Sequence, residues 1–137
     1  MRTMVVTVLA VASLLLVVGA AGARPAAKGP WDGTWNRAAN EIDVGGPTKF
    51  VIHQSGNRLT VTIPWRGCTS RAGGVAVGWA QGNSAAIAAR QTDGSLVIQS
   101  MQLASNHKTI TGTFEVTAGT CKGTKGPFDA TFVGPSR

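Results

Sequence analysis

The sequence has no tyrosine, two cysteines and only six acidic residues, and these shortages narrow what the protein can be. Charged residues make up 14% of the chain, against about 25% in an average protein, which is too few for a chain kept unfolded by its own charge. No sustained apolar heptads occur, so a coiled coil is excluded. A length of 137 residues accommodates one domain and excludes a multidomain protein.

The residues that catalysis requires are also sparse. The sequence offers no nucleophile with a base beside it, no facing pair of carboxylates and no cluster with metal-ligand spacing. The glycine-rich stretch 71–74 lacks the spacing and the following helix of a phosphate loop. His53 and His107 are predicted at the surface, at one end of the fold. We therefore expect no enzymatic activity, no cofactor and no metal.

The balance of charge is basic, with a net charge of +7. Such a chain attracts anions in general, nucleic acid among them. Stacking of bases on a sheet, however, needs outward aromatic side chains interleaved with lysine and arginine. The alternation of apolar and polar residues places Phe50, Trp79, Phe114 and Phe128 on apolar, inward faces. No nucleic-acid partner is therefore expected.

The first 23 residues have the order of an export signal. Arg2 precedes an almost wholly apolar run at 4–18, and small residues follow at 21–23. The run has about 15 residues, short of the ~20 that a membrane span needs. Because the first cysteine is Cys68, none stands at the cleavage point to accept a lipid. The sequence predicts a secreted or periplasmic protein with a signal peptide at 1–23, an N-terminal extension at 24–32 and a folded domain at 33–137.

What the sequence has in excess is glycine, with 18 residues, many of them between short runs rich in β-formers. Asn and Asp accompany glycine in several of these turns, which is hairpin chemistry. The pattern predicts an all-β fold of eight strands, at 33–37, 48–54, 57–64, 74–81, 84–91, 95–104, 107–117 and 127–133.

Eight strands joined mostly by short hairpins favour an antiparallel up-and-down barrel, which leaves no exposed sheet edge. A two-sheet sandwich is the alternative, although its crossings need longer connections. In the barrel the predicted inward residues are apolar: Phe50, Ile52, Leu59, Val61, Ile63, Val75, Val77, Trp79, Ala85, Ile87, Ala89, Leu96, Ile98, Ile110, Gly112, Phe114, Phe128, Ala130 and Phe132.

The positions of the two cysteines provide a check on this strand count. Connections in an up-and-down barrel alternate between its two ends, so the third-to-fourth connection, with Cys68, and the seventh-to-eighth, with Cys121, lie at the same end. In an oxidising compartment two such thiols should form a disulfide. The long connections share that end, which predicts an open mouth there, and its rim carries Arg37, Trp65, Arg66, Arg71, Lys122 and Lys125 against Glu41 and Asp43.

Gly33-Thr34-Trp35 at the start of the first strand resembles the Gly-x-Trp that opens the calycin-type barrels, the lipocalins and the avidin-like fold. The run 111–114, Thr-Gly-Thr-Phe, looks like their later strands. The resemblance implies the barrel architecture, and it implies that Trp35 packs at the closed end. The missing tyrosine and the lack of a biotin-type set of polar ligands mean that only the architecture is carried over.

These observations predict a secreted, non-enzymatic binding protein for a small hydrophobic or amphiphilic anion. The expected ligand-binding residues are Phe50, Ile63, Trp65, Arg66, Arg71, Lys122, Lys125 and Phe128. Trp65 would cover the ligand at the mouth or pack under the disulfide. The alternative is a filled barrel whose loops act as a protein-interaction module or inhibitor.

Overall fold

The eight predicted segments all form strands, with ends that differ by at most two residues. The computed structural model describes residues 28–37, 48–63, 74–91 and 94–137, without the side chains of Thr48 and Ile63. The strands are β1 (Gly33–Arg37), β2 (Thr48–Ser55), β3 (Arg58–Ile63), β4 (Gly74–Gln81), β5 (Ser84–Arg90), β6 (Leu96–Leu103), β7 (Thr109–Ala118) and β8 (Lys125–Gly134).

Each strand pairs antiparallel with its neighbours in chain order, and β8 pairs with β1 to close a barrel. The prediction of an eight-stranded antiparallel up-and-down barrel is therefore confirmed. Closure pairs the backbone groups that an edge strand would leave exposed. Among the described residues no helix has the length and apolar character that a membrane span requires.

The barrel has two different ends. At the floor end, two-residue turns at 56–57 and 82–83 join β2 to β3 and β4 to β5. Gly56 and Gly82 both have φ of 59°, as the first residue of a type II′ turn requires. The mouth end is the other one, where the β1–β2, β3–β4, β5–β6 and β7–β8 connections lie. His53 and His107 are exposed near the floor end, where the sequence places them.

Two strands face the opposite way from the prediction. On β4, Val75, Val77 and Trp79 are exposed, and the small residues between them point inward. On β6, Ile98 is exposed while Val97, Gln99, Met101 and Leu103 are buried. The predicted inward sets of β4 and β6 were therefore wrong by one residue. The predicted inward residues that are described on β2, β3 and β5 are buried.

The limited width of the barrel explains the inversion of β4. In a ring of eight, β4 and β5 lie across the barrel from β8 and β1, which contribute Trp35, Phe128 and Phe132. An eight-stranded interior is just wide enough for side chains to fill, so large residues on one wall require small ones on the other. The inward residues of β4 are all small (Ala76, Gly78 and Ala80), and on β5 Ala85 and Ala89 flank one larger residue, Ile87.

The floor is closed by Trp31, a residue of the predicted N-terminal extension that is fully buried. Its Nε1 donates to the carbonyl oxygen of Gly82 at 3.0 Å, and its backbone N donates to Oε1 of Gln54 at 3.0 Å. Trp35 is also fully buried, and its Nε1 donates to the carbonyl oxygen of Trp31 at 3.1 Å. These bonds connect the segment before β1 to the β2–β3 and β4–β5 hairpins at the floor.

The carboxylate of Asp32 also stabilises the floor end of the barrel. The Asp32 side chain, 7% exposed, accepts hydrogen bonds from the backbone N of Gln54 at 3.0 Å and from Oγ of Ser136 at 2.5 Å. Lys28 Nζ lies 3.7 Å from its Oδ1. Burial would raise the pKa of Asp32, but the hydrogen bonds from Ser136 and Gln54, together with the positive charge of Lys28, outweigh it and lower the pKa below 3.8.

Asp32→Asn should therefore destabilise the protein in a pH-dependent way. Because the folded-state pKa lies below the unfolded value, the charged carboxylate stabilises the fold above the unfolded pKa and loses this effect as pH falls through the folded pKa. We expect a loss of about 1 to 3 kcal/mol in the free energy of unfolding at neutral pH, shrinking in acid. Urea unfolding at several pH values measures it, with Asp129→Asn on the exposed face of β8 as the control. The prediction is contradicted if the difference in unfolding free energy between wild type and Asp32→Asn stays constant down to strong acid.

Candidate functional site

Polar side chains are buried in the mouth half of the barrel. Among the described residues, Arg37, Gln91, Ser95 and Gln99 are both polar and buried. Arg37 ends β1 at the mouth, Gln99 lies in the mouth half of β6, and the other two flank the β5–β6 connection. Buried polar groups are costly in an apolar interior unless they are hydrogen-bonded or serve a ligand. These four buried polar residues of the described chain therefore lie in the mouth half of the barrel.

Arg37 is the central residue of this polar group. Its side chain points inward because inward positions alternate along β1 from Trp35 to Arg37. The residue is 6% exposed, and its Nε and Nη2 atoms are inaccessible to solvent. The guanidinium carbon lies 5.6 Å from the ring centre of Phe114 and 5.5 Å from that of Phe128. Two aromatic faces thus enclose a cation inside the barrel.

The chemistry of this arrangement favours an anion. Guanidinium keeps its charge at any accessible pH, and its planar N–H groups match carboxylate, sulfate or phosphate oxygens. Charges attract each other more strongly in the low dielectric of a protein interior than in water. The two rings stabilise the cation by cation–π contact, and they also provide an apolar surface beside it. The site therefore combines a positive charge with an apolar surface, the two features that an amphiphilic anion requires.

Two of the predicted ligand-binding residues lie in this interior. Phe50 and Phe128 are both buried. Phe50 pairs with Trp35 across β1 and β2, while the Phe128 ring lies against Gly112, where a Cβ atom would come within 2.6 Å of it. Of the two, Phe128 contacts Arg37 directly. Ile63 ends β3, and its side chain is outside the described part.

The two predicted lysines lie at the mouth end but outside the barrel. Lys122 is exposed in the β7–β8 connection. Lys125 starts β8 opposite Glu115 and lines an open groove of about 350 Å³ on the outer surface of β6, β7 and β8. Cys121 is partly buried and packs against the core at this end. The lysines therefore contribute positive charge at the mouth, at a distance from the enclosed cation.

The remaining predicted site residues fall outside the described part of the chain. They are Trp65, Arg66, Arg71 and Cys68, in the connection between β3 and β4. Their participation in a ligand site stays a prediction, as does the pairing of Cys68 with Cys121. The connection they occupy begins and ends at the mouth, on β3 and β4.

The sequence reasoning missed the inward direction of Arg37 and Gln99. Arg37 was assigned to the rim, although its spacing of two residues from Trp35 was sufficient to predict that both face the same way. Gln99 was placed outward because Leu96 and Ile98 are more apolar than a glutamine. The strand register, in which Gln99 pairs with Ile87 and Phe114, places it inward.

Comparison of the chain with protein-family models, with curated proteins and with solved structures gives no match.

Proposed function

We propose that this protein is a secreted, non-enzymatic binding protein for a small hydrophobic or amphiphilic anion, held in the mouth half of its barrel. The observation that carries the proposal is Arg37, a guanidinium buried between Phe114 and Phe128. The anionic group of the ligand would contact this cation. Its apolar part would lie among the phenylalanine rings and extend towards the small residues of β4 and β5.

Positive charge at the mouth supports entry of the ligand from that end of the barrel. Lys122 and Lys125 lie there, and Arg66 and Arg71 belong to a connection that starts at the mouth. Positive charges around an opening raise the local concentration of an anion and its rate of association. Only Arg37 among the described cations is enclosed by aromatic rings on two sides, so it would determine affinity while the others would act at longer range.

Export and the disulfide belong to the same proposal. We infer that residues 1–23 are removed and that Cys68 pairs with Cys121 in the oxidising compartment, which would fix the β3–β4 connection at the mouth. In a mass spectrum of the exported protein, a start at Arg24 and the loss of two hydrogens support both inferences. A retained N-terminus contradicts the first, and two alkylatable thiols in the untreated protein contradict the second.

Replacement of the enclosed cation tests the binding function. Arg37→Met keeps the length and the apolar stem of the side chain and removes its charge. Methionine can occupy the apolar space between the two phenylalanine rings, and the circular dichroism spectrum of the variant checks that the barrel remains folded. With dansyl-labelled undecanoic acid as the probe, we expect affinity to fall about tenfold or more, the effect of losing one charge-assisted hydrogen bond. Fluorescence titration measures it.

Two controls make the result specific. The neutral methyl ester of the probe should bind wild type and Arg37→Met equally, because only the acid carries the charge. Arg58→Gln, which removes an exposed cation on the outer face of β3, should leave the affinity for the acid unchanged. If native mass spectrometry shows no ligand and the probe does not bind, the proposal is wrong and the filled barrel that acts through its loops replaces it.

A further inference from the structure

The outward orientation of β4 creates an exposed apolar face. Val75, Val77 and Trp79 point outward two residues apart, and Trp79 is 65% exposed. We call these three residues the apolar ridge. The strand register continues it sideways: Val77 lies opposite Ala88, Ala88 lies opposite Ile98, and all three are exposed. Contiguous apolar patches of this kind mark contact surfaces for proteins or membranes.

The charged residues on the two strands that flank the ridge have one sign. No acidic residue occurs in the five strands from β2 to β6. Arg58 on β3 lies directly opposite Trp79, and Arg90 ends β5 next to Ala89, which pairs with Ala76. The described carboxylates are Asp32 before β1, Asp129 on β8 and Glu115 on β7, where Glu115 pairs with Ile98, three strands away from β4. On the two strands that flank β4 the charged residues are cations alone, so the ridge suits a partner that is apolar at the centre and negatively charged around it.

A second copy of this chain does not meet that requirement. Stacking two ridges would bring Arg58 and Arg90 of both copies into one interface, and β3, β4 and β5 carry no carboxylate to pair with them, so these like-charge contacts are unfavourable. The shape also matters, because the outer face of a barrel is convex and the Trp79 side chain projects from it. A rigid protein partner would need a matching concavity, whereas a fluid lipid surface accommodates a projecting side chain.

We propose that the apolar ridge docks on an anionic lipid surface. Trp79 enters the interface between headgroups and acyl chains, where tryptophan is enriched in membrane proteins. Val75 and Val77 enter beside it, and Arg58 and Arg90 contact the negative headgroups. This surface faces away from Arg37 and operates independently of the ligand site.

Vesicle binding of the exported protein tests the proposal. Wild type should co-sediment with vesicles of equimolar phosphatidylcholine and phosphatidylglycerol, and binding should be weak on phosphatidylcholine alone and should decrease with added salt. Trp79→Ser should lower the affinity about tenfold because it removes the largest apolar side chain from the interface. Arg58→Gln and Arg90→Gln should each lower it about fivefold.

Matched controls come from the other side of the barrel. Val133 on β8 is 51% exposed, and Val133→Ser should bind vesicles like wild type. Arg137→Gln, an exposed charge at the C-terminus, should also have no effect. Arg37→Met should keep vesicle binding even if it loses the fluorescent acid, which separates the two proposals. The proposal is overturned if wild type does not bind anionic vesicles, if Trp79→Ser and Val133→Ser behave alike, or if ultracentrifugation shows a dimer that Trp79→Ser dissociates.

Discussion

Trp31→Ala should destabilise the barrel by about 3 to 5 kcal/mol, the range observed for truncation of a buried tryptophan. The side chain is fully buried at the floor, where it packs with the core. Its loss would open a cavity there and remove the hydrogen bond to the carbonyl oxygen of Gly82. Guanidinium unfolding, followed by circular dichroism, gives the free energy directly.

Trp79→Ala provides the matched control because it removes the same side chain from an exposed position. Substitutions at such surface positions usually change stability by about 0.5 kcal/mol or less. Trp31→Phe should lie between the two variants, since it keeps most of the ring volume but loses the indole N–H and with it about 1 kcal/mol. Equal stability of Trp31→Ala and Trp79→Ala would show that the floor is not closed by Trp31.

Gly78→Ala should be the second severe substitution, with an expected loss of about 3 kcal/mol, at the upper end of the overpacking range. A Cβ atom at this position would overlap the carbonyl oxygen of Ala86 and would lie 2.7 Å from Cα of Ile87. Both atoms belong to the backbone of β5, so a side-chain rotation cannot relieve the contact. The β4–β5 ladder would have to shift apart instead.

Gly74→Ala tests whether this effect comes from the contact or from the loss of glycine itself. Its Cβ atom would lie 3.4 Å from the carbonyl oxygen of Arg90, an ordinary van der Waals distance. Gly74→Ala should therefore change stability by less than about 1 kcal/mol. Hydrogen exchange should show faster exchange of the β5 amides in Gly78→Ala only. The argument from close contact at Gly78 is wrong if Gly78→Ala and Gly74→Ala unfold at the same denaturant midpoint.

The candidate site was partly predictable from the sequence. Phe50 shares the spacing of two residues with Ile52, and Phe128 shares it with Ala130, so the burial of both phenylalanines followed from the two-residue period. Arg37 could have been placed inward by the same rule, but its charge favoured the rim. Trp31 gave no periodic signal because it precedes the first strand, and its position depends on hydrogen bonds to Gln54 and Gly82, far away along the chain.

The sequence by itself determined the number, order and approximate limits of the strands, because turn residues and short β-rich runs are local signals. It also favoured the antiparallel ring over a two-sheet sandwich, since most of the connections are short. Only the tertiary structure decided which face of β4 and β6 turns inward, because both faces of these strands carry apolar residues. For β4 that choice depends on how much space Trp35, Phe128 and Phe132 occupy from the opposite wall. The packing of the interior depends on all eight strands of the closed barrel together, and the sequence of one strand does not reveal it.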